Sequence, residues 1–210
     1  MSEARFITFE GGEGAGKSTQ VKHLVAALEA RGIRCEATRE PGGAPGAEQI
    51  RKLLVDGEPG RWEPVSETLL LFAARADHIA RTISPALKRG QWVISDRFTD
   101  STYAYQGAGR GLDRETIRRI EAASIGDFRP DFTLLLDLPV ETGLRRAGAR
   151  GPHESRFEKF DSGFHERLRQ AFLDIAKRHP DRCTVIDASG GEEEVAKKVW
   201  AAVSRRFGLG

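Results

Sequence analysis

The chain has 210 residues, is 39% hydrophobic and carries a formal net charge of +2. That size and apolar content suit one compact domain with a sizeable core, and the near-neutral balance lacks the basic field expected of a nucleic-acid binder. Cys35 and Cys183 form no C-x-x-C pair, which argues against a zinc site or a disulfide framework. The longest apolar run, Leu69–Ala74, is too short to span a bilayer, and no signal-peptide core opens the chain.

Arg5–Glu10 is rich in β-formers and reads as a buried strand. It leads into Gly11, Gly12, Glu13, Gly14, Ala15, Gly16, Lys17, Ser18 and Thr19, which match G-x-x-x-x-G-K-[ST] at every fixed position. Glycines there let backbone N–H groups close on a phosphate with no Cβ in the way. Lys17 adds a charge within reach of the β- and γ-phosphates, and the Ser18 hydroxyl suits Mg²⁺. Lys17–Arg31 reads as the following helix, with Val21, Leu24, Val25 and Leu28 on one face and Gly32 as its stop. Strand, glycine loop and helix together are the context that the motif requires.

Ile33–Thr38 reads as a second strand, ending in the rigid, charged loop Arg39-Glu40-Pro41-Gly42-Gly43. Open α/β sheets bind ligands at the carboxyl ends of their strands, so this loop is a site candidate as well as a turn. Ala47–Val55 is a short helix. Ser66 is expected to cap a long one reaching about Lys88, with a bend at Pro85 and a stop at Gly90. Arg75 shares a face with Phe72, and snorkelling to solvent is its default reading. Trp92–Asp96 is a third strand whose terminal acid has the pattern of a carboxylate near Mg²⁺. Phe98–Leu112 combines polar, aromatic and glycine residues and reads as a flexible binding loop.

Asp113 is expected to cap a helix to about Ile125, and Phe132–Asp137 is a central parallel strand. Val140–Ala147 is a helix, followed by a segment holding Arg145, Arg146, Arg150, Arg156 and Lys159, which reads as a lid over phosphates or as ordinary surface charge. Ser162–His179 is a helix, Thr184–Asp187 a strand and Glu192–Phe207 the last helix. The alternation gives a parallel sheet with helices on both faces. His23, His78, His153, His165 and His179 make no metal-ligand spacing and read as solvated surface residues. The chain contains no asparagine, so the N-K-x-D motif that reads guanine cannot occur.

These landmarks, in this order, resemble the bacterial thymidylate kinases of the P-loop nucleoside monophosphate kinase superfamily. The glycine loop is shared by many NTPases. Thr38–Gly43, Asp96-Arg97-Phe98 with Ser101–Gly107, and the arginine-rich lid are more specific. The resemblance implies one α/β domain over residues 1–210 with the P-loop NTPase fold: a five-stranded parallel sheet, helices on both faces and a lid at about 147–160. It implies phosphorylation of dTMP by ATP with Mg²⁺, in a cytoplasmic homodimer with no nucleic-acid or membrane partner. The acceptor phosphate has a second pKa of about 6, so no general base is required.

By the same resemblance, Lys17 and the loop Gly11–Thr19 hold ATP, and Ser18 ligates the metal with Asp96 nearby. Arg39 and Arg97 hold the dTMP phosphate in planar forks, alongside Glu40 and Pro41, while Glu13 faces the sugar. Arg150 or Arg156 reaches the transferring phosphoryl group. Arg75 donates to thymine O4, Thr102 and Gln106 make further base contacts, and Tyr105 crowds the 2′ position. Phe72 stacks on the base, or Leu71 replaces it as an aliphatic platform. Two rivals remain: a kinase of the same fold with another acceptor, such as a different monophosphate or a deoxynucleoside with Glu40 as base, and an ATP-driven switch.

Overall fold

A computed structural model describes residues 3–149 and 156–209. Its centre is an all-parallel sheet of β1 (Phe6–Glu10), β2 (Cys35–Arg39), β3 (Trp92–Asp96), β4 (Phe132–Asp137) and β5 (Cys183–Asp187), in the order β2-β3-β1-β4-β5. Both faces are covered, as a parallel sheet requires. On one face Ile7, Phe9, Ile94, Leu134 and Leu136 pack against Val21, Leu24 and Leu28 of α1 (Lys17–Glu29) and Val195, Val199 and Val203 of α9 (Glu192–Phe207). On the other, Phe6 and Val93 meet Ile83, Ala86 and Phe98. Leu135 and Cys183 there meet Phe164, Leu168 and Phe172 of α8 (Ser162–Arg178). Burying each such leucine or phenylalanine contributes about 1.5–3 kcal/mol.

Several boundaries differ from the sequence reading for local reasons. β2 begins at Cys35 because Ile33 closes α1 instead. Gly32 adopts φ 76° and Ile33 N donates to Leu28 O at 3.1 Å, a Schellman-type stop. The helix α3 (Pro64–His78) starts with Pro64 at its first position rather than after a Ser66 cap. It runs on through a π-helical turn, Ile79–Ile83, into α4 (Ser84–Lys88). Pro85 has no N–H, and the wider turn, with Ser84 N donating to Ile79 O, absorbs the mismatch without breaking the rod.

The stretch read as a flexible loop is helical. It forms α5 (Thr99–Thr102) and a π-helix, Tyr103–Gly109. Its glycine is there for packing: a Cβ on Gly109 would lie 2.5 Å from the Phe164 ring, so its absence lets α8 approach. The remaining helices are α2 (Pro45–Val55), α6 (Arg114–Ile125) and α7 (Val140–Gly148), with a short 3₁₀ turn at Arg156–Lys159. Asp113 and Asp161 cap α6 and α8 through Thr116 N and Phe164 N.

Candidate active site

The carboxyl ends of β1, β2 and β3 open into a cavity of about 250 Å³. One end is the glycine loop between β1 and α1. Gly14, at φ 69°, passes so close to α7 that a Cβ would lie 1.9 Å from Gly143 O. Only glycine suits that backbone and that gap. Gly16 caps α1 at φ 87°, and the first-turn N–H groups of the helix face the loop. Lys17 is buried, and its Nζ donates to Gly11 O at 3.2 Å and Gly12 O at 2.8 Å. Burial lowers its pKa and Arg97 adds to this; Glu13, Asp96 and Glu10 offset part, leaving about 8. Ser18 Oγ donates to Asp96 Oδ2 at 2.5 Å, so the two oxygen donors expected near the metal stand together. Asp137, the acid at the end of β4, instead pairs with Arg169 at 2.8 Å. Ala15 is packed in the core, whereas Glu13, Gly14, Gly16, Lys17 and Ser18 line the cavity; Gly11, Gly12 and Thr19 do not.

Arg97 follows β3 directly and adopts φ 75°, a left-handed backbone that costs a non-glycine residue about 1–3 kcal/mol. Its surroundings hold it there. Arg97 N donates to Phe9 O at 2.9 Å, Ser95 Oγ to Arg97 O at 2.8 Å, and Phe98 N to Glu10 Oε1 at 2.8 Å. The guanidinium then reaches Glu13 Oε1 at 3.0 Å, Tyr105 Oη at 2.8 Å, Ser101 Oγ at 3.1 Å and Gly11 O at 3.0 Å. Burial alone would raise the Glu13 pKa, but Arg97, then Lys17 and the Tyr105 hydroxyl, pull it down to about 2. Burial raises the Tyr105 pKa well above its ordinary value, so the phenol stays a donor.

The far end of the cavity is built around Arg75, which is 2% exposed. It does not snorkel. Its Nε donates to Glu40 Oε2 at 2.7 Å, and Nη2 donates to Phe98 O and Thr102 Oγ1 at 3.2 Å each. Nη1 is buried without a partner among the described residues. His78 is fully buried and bonds Glu40 Oε1 at 3.0 Å and Thr38 Oγ1 at 2.7 Å, which corrects its reading as a surface histidine. His165 is likewise buried, beside Phe164. Glu40, enclosed by Arg75 and His78, has both oxygens engaged and is no free base for a hydroxyl acceptor. Leu71 lines the cavity; Phe72 is packed behind it, its ring 4.6 Å beneath the Arg75 guanidinium. Of the two, Leu71 is therefore the side chain that faces the cavity. Thr102, Tyr105, Gln106 and Pro41 complete the wall, with Arg39 at the rim bonded to Glu48 at 3.1 Å.

Of the two lid arginines, Arg150 lies outside the described residues. Arg156 is fully buried, bonded to Leu54 O at 3.1 Å and to the Glu67 carboxylate. It does not line the cavity in this conformation.

The family model for thymidylate kinase matches residues 9–199. The chain is 53% identical over 209 residues to a thymidylate kinase of Caulobacter vibrioides, covering 100% of both chains. It is 50% identical to a thymidylate kinase of Magnetococcus marinus, covering 98% of each. The chain belongs to the thymidylate kinase family. It is thus a nucleotide-binding kinase with the P-loop NTPase fold. A crystal structure of thymidylate kinase from Ehrlichia chaffeensis shares that fold at a TM-score of 0.76 and 35% identity, over 95% of this chain and 98% of that one. No helix among the described residues is long and apolar enough to cross a membrane.

Sequence reasoning missed four polar groups that shape the enzyme's site. Arg51 lines the cavity and donates to Pro41 O at 2.7 Å. Glu10, pushed up to about 8 by burial and by Asp100, accepts from Phe98 N and from Ser101 Oγ at 2.5 Å. Ser101 thereby ties Glu10 to Arg97. Glu67 accepts from Gln106, Arg110 and Arg156. Arg51 and Glu67 look like ordinary helix-surface charges in the sequence. Only Glu10, a charge ending a buried strand, breaks a local pattern that could have drawn attention.

Proposed function

We propose that this cavity transfers the γ-phosphoryl group of ATP to dTMP, giving ADP and dTDP, the reaction named by the family. The observation that carries this reading is a single cavity with a phosphate-binding loop at one end and a buried, donor-only arginine at the other. Between them stands Arg97, fixed by Glu13 and Tyr105.

The chemistry follows from charge. The acceptor is a phosphate monoester that is largely dianionic at pH 7. Its oxygen attacks the γ-phosphorus in line, the bond to the β-phosphate oxygen breaks, and no proton need be abstracted. The barrier lies in bringing two anions together and spreading the charge of the moving group. Lys17 and the loop N–H groups hold the donor phosphates. Arg97 and Arg39 hold the acceptor phosphate, and both forks are already braced by carboxylates. Ser18 and Asp96 are hard oxygen donors of the kind Mg²⁺ takes. Held by these two residues together with ATP, Mg²⁺ would supply neutralisation of the donor phosphates' charge. Arg75 turns a donor toward O4 of thymine, Thr102 and Gln106 complete the base edge, and Leu71 packs on the ring. Tyr105, beside Glu13, crowds the sugar.

The residues described form one domain, and we assign the lid to about 147–160. Arg150 is the better candidate to meet the transferring phosphoryl group, because Arg156 is engaged with Glu67 and Leu54. We further propose a cytoplasmic homodimer, in keeping with the family resemblance. The test is ADP release from Mg-ATP with dTMP, dUMP, dCMP, dGMP, dAMP and thymidine as separate acceptors. Strong stimulation by dTMP, with thymidine inert, is the expected result. Stimulation by thymidine but not dTMP would make the protein a nucleoside kinase, and acceptor-independent hydrolysis would point to a switch.

A further inference from the structure

Glu67, in the first turn of α3, is fully buried and does not line the cavity. A buried carboxylate is costly unless paired and hydrogen-bonded. Here Oε2 accepts from Arg110 Nη1 at 3.0 Å and from Arg156 Nη2, while Oε1 accepts from Gln106 Nε2 at 2.8 Å. A carboxylate held between two guanidinium groups can only accept. Gln106 must therefore turn its NH₂ toward Glu67 and its carbonyl away. That carbonyl, Gln106 Oε1, is buried and has no partner among the described residues, and the same holds for Arg75 Nη1. Both residues line the cavity.

The cavity thus offers one unpaired donor and one unpaired acceptor. Thymine presents the complement, the O4 acceptor beside the N3–H donor. Cytosine presents the reverse, an amino donor beside an N3 acceptor, and would leave both protein groups unpaired. We propose that Glu67 is a positioning residue that sets pyrimidine selectivity by fixing which end of the Gln106 amide faces the base. The inference rests on the reading of the cavity as a dTMP site. It adds a residue that never touches the nucleotide. It also links the base pocket to Arg156, at the foot of the lid, through one carboxylate.

The experiment compares kcat/KM for dTMP, dUMP and dCMP in wild type, Glu67→Gln and Glu67→Asp. In E67Q the new amide can still accept from the arginines but can also donate to Gln106 Oε1, which frees the Gln106 amide to turn over. The dTMP:dCMP ratio should fall about tenfold, the effect of one hydrogen bond. The dTMP:dUMP ratio should not move, because the two bases share the imide edge. E67D, which still only accepts, should keep the wild-type ratios. A uniform loss on all three substrates would show a merely structural role and overturn the proposal. If E67Q does not fold, Gln106→Met decides in the same assay. Its thioether fills the space without a carbonyl, so the dTMP:dCMP ratio should fall about tenfold, and an unchanged or raised ratio would overturn the assigned amide orientation. Wild type inert toward all three monophosphates would instead sink the dTMP reading, and the inference with it.

Discussion

Replacing Arg97 by alanine tests both the chemistry and the strain at the heart of the site. The guanidinium is 15% exposed and its partner Glu13 14%. Deleting it leaves a mostly buried carboxylate without its ion-pair partner, with the Tyr105 hydroxyl still donating to it at 2.6 Å, a loss of about 3 kcal/mol. It also removes the strongest attraction holding the Glu13 pKa near 2. Native Glu13 contributes stability that is fully present above its unfolded value of 4.5 and is lost as pH falls toward about 2. In Arg97→Ala that loss should begin at higher pH. Catalytically, removing one preorganised donor from the acceptor phosphate should lower kcat/KM for dTMP about 10²–10³-fold. Arg97→Gly separates the two effects. Glycine takes φ 75° freely, so it should recover about 1 kcal/mol over alanine, or about 2–4 °C in melting temperature, with no recovery of activity. The assays are thermal melting from pH 3 to 8 and coupled ADP release at pH 7. Wild-type turnover in folded Arg97→Ala would remove Arg97 from the site. An Arg97→Gly variant no more stable than Arg97→Ala would refute the strain argument.

Other outcomes follow from the same geometry. Gly14→Ala places a Cβ 1.9 Å from the Gly143 backbone at a positive φ; it should cost more than about 3 kcal/mol and weaken ATP binding, and a variant with wild-type melting and ATP affinity would contradict the packing described. Lys17 has a pKa lowered from 10.5 to about 8, so its ammonium is lost as pH rises through about 8, and kcat/KM in the free enzyme should fall there; a flat profile to pH 10 would mean the cation is not needed or is not so depressed. Arg75→Ala should reduce kcat/KM for dTMP about tenfold more than for dCMP, whereas equal losses would mean Arg75 does not read the base. Chelating Mg²⁺ with EDTA should abolish transfer, reversibly on its return, if Ser18 and Asp96 hold it with ATP.

The strands and most helices were legible because their patterns are local. β4 is a near-continuous apolar run, and Asp113 announces its helix through a side-chain cap. The glycine loop was legible because its constraint is backbone geometry that few residues satisfy. Phe98–Leu112 was misjudged for a long-range reason: its polar residues Thr99–Thr102 and Gln106 are buried and the segment packs on α8 and α3, partners that no local window contains. His78 and Arg75 failed in the same way. Their burial depends on Glu40, far along the chain and brought to them by β2. Glu67 gave no signal, since an acid in a helix's first turn also complements the helix dipole.

Three of the four arginines that line the cavity share one device, Arg51 being the exception. Arg97 is braced by Glu13, Arg75 by Glu40 and Arg39 by Glu48. Each carboxylate takes some of the N–H donors and leaves others for a ligand. A guanidinium held this way needs no reorganisation when an anion or a carbonyl arrives, which is where preorganised sites gain over water. The pairing also explains how a chain of net charge +2 can grip two phosphorylated ligands. The attraction is short-range and directional, delivered by fixed forks rather than by a surface field. Lysines could not replace them, because a flexible point charge paired with a carboxylate would offer no second, oriented donor. Only at the glycine loop, where the backbone itself supplies the directional N–H groups, does a lysine suffice.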